Sequence, residues 1–199
     1  MSNQNIEFII PAYNRTKMLM ATISSIVAQT SDRWAIHVVC DNYFDEDMQK
    51  IKDFFAHIPC IRWTVTEKRY NDWGHTPRNI GVQQSIEEWV IQTGEDNYYV
   101  PTFVETFIEA VEKEKFTNMV FCNMVHNLHG WAEEKYIPIQ CRIEVGFLDI
   151  GCFMLRTKYA KTLPIDTDLG VNADGYLAEM YHKKYGSAIH INRILYVHN

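Results

Sequence analysis

Glu95 and Asp96 stand side by side in EEWVIQTGEDNYYVP, directly after the apolar run WVI. Adjacent carboxylates repel each other, so a strand end that carries them needs positive charge or a bound ion close by. A hard divalent cation suits the pair. Mg²⁺ or Mn²⁺ takes one or two carboxylates and completes its shell with water and phosphate oxygens. TGEDN is also good turn chemistry, and a solvated turn accounts for the same residue types. Two other polar clusters, Pro11 to Arg15 and Asp41, also follow apolar runs. If all three meet on one rim, the balance tips towards a cation.

The surrounding pattern supplies such a rim. A strand over 6–10 stops at Pro11, and apolar residues at Leu19, Ile23, Ile26 and Val27 give a helix over 16–29. WAIHVVC at Trp34–Cys40 is a second strand, followed by a helix with Met48, Ile51, Phe54 and Phe55 on one stripe. A strand over 61–66, a polar loop with Gly74 and Pro77, and a helix over 78–85 lead to WVI. Phe103, Phe107, Ala110 and Val111 mark the next helix. Regular β-α alternation predicts an α/β fold, a Rossmann-like, mostly parallel sheet flanked by helices in a single domain over 1–199. Ligands of such sheets bind at the carboxyl ends of the strands. The second half is less regular: a strand over 118–125, a loop over 132–140, a strand-like stretch over 144–156, a helix over 174–185 with Leu177, Met180 and Tyr181 on one face, and a short strand over 188–191.

Composition narrows the class. At 199 residues the chain is long enough to bury a core, and its apolar runs are too short to span a membrane. The first residues lack the pattern of a signal peptide. Five cysteines without a CxxC pair suggest neither a disulfide framework nor a zinc knuckle, which predicts a reducing, cytoplasmic setting. A net charge of −6 with no dense Lys/Arg run speaks against a general nucleic-acid surface. GxGxxG, GxxxxGK[ST] and GxSxG are all absent, which disfavours nicotinamide enzymes, P-loop nucleotidases and α/β-hydrolases.

Five segments, in order, carry a resemblance. IIPAYNR, KMLMATISSIVAQT, VVCDN, GHTPRNIG and TGEDNYYVP resemble the donor-binding half of the nucleotide-sugar glycosyltransferases of family 2. They cover about the first half of the chain, and the second half matches loosely. The resemblance implies a GT-A fold, with a nucleotide-sugar-binding half over 1–115 and an acceptor-binding half over 116–199. It implies inverting, metal-dependent transfer of a sugar from a nucleotide-diphosphate donor to an acceptor hydroxyl. Pro11, Ala12, Tyr13, Arg15, Asp41, Arg78, Glu95 and Asp96 then form the donor site, with Tyr13 and Asp41 at the base and Arg78 beside them. Such a pairing is chemically apt, since a ring stacks on a base and a carboxylate accepts from its N–H. Two positions depart from the pattern: Cys40 replaces a frequent aspartate, and Glu95 stands where aspartate is usual. Asp96 is accordingly the expected ligand of Mn²⁺ or Mg²⁺, helped by Glu95, with His198 a late candidate for the metal or the diphosphate.

Inverting transfer needs a base for the acceptor hydroxyl. Asp174, just ahead of a helix, is the expected base; a helix-capping acid is the competing role. Asp149 ranks second, and Asp166 and Asp168 lower. His126 and His129 read as loop structure. A nucleotide-sugar binding module without turnover, or transfer to modified DNA bases, are the alternative functions.

Overall fold

The computed structural model describes residues 5–127 and 136–199; His129 lies outside the described residues. Strand β1 (Ile6–Ala12) is buried along its whole length. That is why it reads as a nearly unbroken apolar run rather than an alternating one. It pairs in parallel with β2 (Trp34–Cys40) on one side and β4 (Trp89–Gln92) on the other, and β3 (Ile61–Val65) extends the parallel sheet beyond β2. Beyond β4 the sheet becomes mixed. β8 (Phe153–Arg156) is antiparallel to β4 and to β6 (Met119–Asn127), β9 (Ala188–His198) is parallel to β6, and β5 (Tyr98–Tyr99) and β7 (Tyr136–Ile139) pair antiparallel with β9 and β6. The order is β3-β2-β1-β4-β8-β6-β9-β5.

Helices α1 (Thr16–Val27), α2 (Glu46–Phe54), α3 (His75–Gln84) and α4 (Phe103–Lys113) connect the parallel strands or follow them. α2 carries a complete set of end signals. Asp45 caps it by accepting from Met48 N at 2.9 Å, Glu46 and Asp47 fill its first turn, and Lys52 its last. α3 lies close on the sheet because Gly81 leaves space: a Cβ there would overlap the side chain of Ile9. None of the helices among the described residues is long and apolar enough to cross a membrane.

Several boundaries differ from the sequence pattern. β1 continues through Pro11 to Ala12, in register with Val39 and Cys40. α3 begins at His75 rather than 78, because left-handed Gly74 (φ 79°) precedes it and Pro77 falls in the first turn, where no N–H is required. Of the loop expected over 132–140, Tyr136–Ile139 is a strand. The stretch over 144–156 divides into a tight 3-10 turn, Ile150–Cys152, and β8. The final strand runs on through 192–198, with register shifts at Asn123. Phe54 and Met180 face solvent, so the buried stripe of α6 (Ala173–Tyr185) is Leu177, Ala178 and Tyr181. A four-residue helix, α5 (Thr157–Ala160), follows β8.

Phe103 joins α4 to the sheet: its ring meets Phe8, Tyr99 and Phe107 at centroid distances of 6.1, 4.8 and 4.0 Å. It is fully buried. Phe103→Ala is expected to lower unfolding stability by about 3–5 kcal/mol, the usual cost of emptying an aromatic core position. Urea denaturation of parent and variant checks this; a loss below about 1 kcal/mol would show that α4 is not anchored there.

Candidate active site

β1, β2 and β4 end together, and a cleft of about 910 Å³ opens above them. Pro11, Ala12, Tyr13, Arg15, Asp41, Arg78, Glu95, Asp96, Asp149, Asp174 and His198 all line it. The fold therefore brings the expected donor-site residues, the two leading candidate bases and His198 into one cleft. Asp166 and Asp168 are not among the lining residues; Asp166 instead accepts from Asp168 N at 3.0 Å at the start of a 3-10 segment, Thr167–Asn172.

The acidic pair is held from three directions. Thr22, buried in the middle of α1, shares its hydroxyl between the carbonyls of Glu95 and Asn97, 2.8 Å from each. The N–H of Tyr13 donates to Glu95 Oε2 at 2.8 Å. Arg15 supplies the positive charge, with Nη1 2.7 Å from Asp96 Oδ2 and Nε 3.8 Å from Glu95 Oε1. Burial nevertheless dominates at Glu95 and pushes its pKa up to about 7, against the lowering effects of the Tyr13 N–H and Arg15. Arg78 is buried and committed to the backbone: Nε donates to Thr93 O at 3.0 Å and Nη1 to Trp73 O at 2.9 Å. It also places a fixed positive charge beside the acids.

At the other end of the cleft, Asp41 accepts the N–H groups of Tyr70 (2.8 Å) and Asn71 (3.1 Å). It thus pins the loop after β3. The guanidinium of Arg69 lies over the ring of Tyr13, 3.7 Å from its centroid, and Tyr43 flanks the same ring at 5.2 Å. A flat ligand that stacks on Tyr13 must share this space with Arg69.

The second half of the chain brings the remaining acids. Asp149 caps the 3-10 turn: Oδ1 accepts from Gly151 N (2.8 Å) and from the Tyr196 hydroxyl (2.5 Å). Its Oδ2 lies 3.3 Å from His198 Nε2, and the imidazole rings of His198 and His126 lie 4.3 Å apart. His198 is therefore turned to Asp149 and makes no ion pair with Asp96. Gly151 is needed where it is, since a Cβ there would stand 2.5 Å from the Tyr196 hydroxyl. Asp174 lies in the first turn of α6, but it makes no capping bond: Asn172 occupies the cap position, and Asp174 Oδ2 accepts from Ile150 N at 3.2 Å. Part of its surface opens to the cleft while protein packs around the rest. Burial, followed by repulsion from Asp149, raises its pKa to about 7.

The donor set suits a hard cation in part. Asp96 Oδ1 takes no hydrogen bond from the described residues, and a Cβ on Gly94 would stand 2.7 Å from it, so the glycine keeps that oxygen clear. Among the described residues, no group of three His, Cys, Asp or Glu side chains gathers to hold a metal by itself. An ion there must draw most of its ligands from water and substrate, as Mg²⁺ and Mn²⁺ do.

Arg69, Asn71, Trp73, His75, Asn97 and Asn172 also line the cleft, or in the case of Arg69 cover Tyr13 as well. They follow no fixed spacing. Only NDWG, rich in residues that tolerate left-handed backbone, marks the loop as a special turn in the sequence.

Comparison with known proteins agrees with this geometry. The sequence model described as Glycosyl transferase family 2 matches residues 7–169. A Haemophilus influenzae protein described as an uncharacterized glycosyltransferase is 23% identical over 143 residues, covering 70% of this chain. The chain spans 47% of that relative, about half its length. The crystal structure of S. aureus TarS 1–349 superposes with a TM-score of 0.80 at 15% identity, covering 98% of this chain and 60% of TarS 1–349. The same protein in complex with UDP-GlcNAc gives 0.75 at 17% identity, covering 97% of this chain and 58% of the other. The mannosyltransferase PcManGT from Pyrobaculum calidifontis, in complex with GDP-Man and Mn²⁺, gives 0.70 at 16% identity, covering 97% and 56%. These likenesses establish a GT-A-type fold.

Asp174 yields a prediction on stability. Its folded pKa of about 7 lies above the ordinary value of 3.8, so between these pH values the folded chain holds a proton that the unfolded chain releases. Stability from this group is therefore lost as pH rises through that window. Asp174→Asn keeps an acceptor for Ile150 N and cannot ionise. The variant should melt above the parent at pH 8, with the difference shrinking towards pH 5; a difference independent of pH would contradict the assignment.

Proposed function

The chain belongs to Glycosyl transferase family 2, and we propose that it transfers a sugar from a nucleotide-diphosphate donor to an acceptor hydroxyl, with inversion and with a divalent cation. The observation that carries this reading is the meeting, in one cleft, of a constrained acidic pair, a buried arginine and a half-buried acid of raised pKa. The donor half would be 1–115 and the acceptor half 116–199.

The nucleoside is assigned to the end of the cleft formed by Tyr13 and Asp41. Tyr13 offers a ring face, and Asp41 fixes the backbone of the loop carrying Tyr70 and Asn71. Its carboxylate has room to accept more than the two bonds it already takes, because two oxygens provide about four lone-pair positions. The diphosphate is assigned to the region of Asp96, where Arg15 and Arg78 bring positive charge. Mn²⁺ or Mg²⁺ bound at Asp96 Oδ1 would neutralise charge that grows on the leaving diphosphate. Glu95 shapes this position by anchoring Tyr13 N and Arg15 and is not assigned as a direct ligand.

Asp174 is proposed as the base. A general base works best with a pKa near the working pH, and burial with Asp149 alongside brings Asp174 to about 7. Asp149 is the weaker candidate. Its oxygens are already taken up by Gly151 N, the Tyr196 hydroxyl and His198, which suits a residue that positions its neighbours. His198 is accordingly assigned to Asp149, and it would have to turn from this partner to meet the diphosphate or cation of a bound donor.

Three substitutions test the assignment. Asp96→Asn should weaken Mn²⁺-dependent UDP or GDP binding at least about tenfold, roughly 1.4 kcal/mol, while Glu95→Gln should do less. Full retention by Asp96→Asn, measured calorimetrically, would remove it as ligand. Asp174→Asn should lower turnover of UDP-GlcNAc or GDP-mannose about 10²-fold or more with nucleotide affinity kept. Unaltered turnover would move the role to Asp149.

A further inference from the structure

Between Asp41 and α3 the backbone does something costly. Asn71, Trp73 and Gly74 all take left-handed φ, at 55°, 61° and 79°. Asparagine and glycine visit that region readily, whereas tryptophan does not. Trp73 is also 70% exposed, so burial of its ring does not compensate the strain. The conformation is imposed by its surroundings. Arg78 holds the Trp73 carbonyl at 2.9 Å, Asp72 Oδ2 accepts Thr76 N at 2.9 Å, and Asp41 holds the two N–H groups upstream. The backbone that carries a large, exposed apolar ring is thus fixed at the mouth of the cleft. Strain kept without a packing gain is characteristic of functional positions.

The adjoining lip comes from the second half of the chain. A Cβ on Gly170 would lie 3.9 Å from the indole Nε1 of Trp73, and Val171 beside it is 71% exposed. α3 fixes this lip in place. His75 Nε2 bonds Gly170 O at 3.1 Å, and the Asn79 amide exchanges bonds of 2.9 and 2.8 Å with the backbone of Ile165. The same segment leads directly into Asp174. Asn71 and Asn172 line the cleft next to Trp73 and Val171.

An exposed indole with two amides in the same lining, at the entrance to a half-buried carboxylate, matches the chemistry of a pyranose ring. Such a ring has a C–H face that packs on an aromatic surface and hydroxyls around its edge that amides and carboxylates can bind. We propose that Trp73 and Val171 form an acceptor subsite, and that the acceptor presents a saccharide ring there with one hydroxyl directed to Asp174. The assignment rests on the sugar-transfer reading given above. A lipid chain fits less well, because the apolar surface is short and amides flank it. A nucleobase is better served by Tyr13 and Asp41 at the far end.

Saturation-transfer NMR with the methyl glycosides of glucose, galactose, mannose and N-acetylglucosamine, in the presence of UDP or GDP, tests the subsite. In the parent, at least one glycoside should receive saturation on its ring C–H protons. Trp73→Ala should weaken that binding up to about tenfold, while Trp73→Phe should retain most of it. UDP or GDP affinity should stay within about twofold in both variants. Trp73→Gly should raise the melting temperature, because it relieves the left-handed strain. The proposal is overturned if the parent binds none of the glycosides, or if Trp73→Ala binds them as the parent does. It is likewise overturned if Trp73→Ala loses nucleotide affinity tenfold, which would move the indole to the nucleoside, or if Trp73→Gly melts lower. Failure of the parent to bind UDP or GDP is a separate result: it removes the sugar-transfer reading itself and this subsite with it.

Discussion

The cleft depends on how the chain tolerates Glu95 beside Asp96. Glu95 sits where the low polarity of the interior disfavours its charge, and Asp96 beside it adds to that cost. Three partners make the arrangement possible: the shared hydroxyl of Thr22 below, the N–H of Tyr13 at Glu95, and the guanidinium of Arg15 across both acids. Thr22 and Tyr13 N are fixed by helix and strand. Arg15 is different, because its side chain is 57% exposed and its ion pairs are largely open to water. Exposed pairs of this kind contribute at most about 1 kcal/mol, so an incoming cation can take over from Arg15 at small cost.

The same economy of charge governs the far side of the cleft. Asp149 and Asp174 repel each other, and the chain answers by giving them unequal surroundings. Asp149 receives an N–H, a hydroxyl and an imidazole, whereas Asp174 receives one backbone N–H and burial. Asp174 is thereby brought near neutral pH, the usual preparation for acid–base work. The backbone makes this contrast possible at two glycines. Gly151 admits the Tyr196 hydroxyl, and Gly175 lets α6 approach Val145, whose Cα would lie 2.5 Å from a Cβ at that position.

Much of this is legible in the sequence, because strands buried on both faces and amphipathic helices leave plain periodic signals. WAIHVVC and the Leu19, Ile23, Ile26 stripe each place an element within a residue or two of its position. The acid pair, Asp41, Arg78 and Asp174 stand at element ends, so a β-α alternation suffices to bring them together. What is hidden is set by contacts between distant segments. Pro77 reads as a breaker and is instead part of the first turn of α3, because Gly74 turns the chain just before it. The pairing of Arg15 with Asp96 spans 81 positions, and nothing local in NRTK announces it. Trp73 looks like a core residue by type, yet its ring is exposed, in a turn where Arg78 donates to its carbonyl and Asp72 accepts from Thr76 N.

The central claim is that this acid-lined cleft accepts a nucleoside diphosphate together with a divalent cation. Isothermal titration of UDP and of GDP into the parent protein, once with Mn²⁺ in excess and once with EDTA, tests it most directly. The account predicts that at least one of the two nucleotides binds, and binds about tenfold or more tightly with Mn²⁺ than with EDTA. Equal affinity under both conditions, or no binding of either nucleotide with Mn²⁺ present, would contradict it.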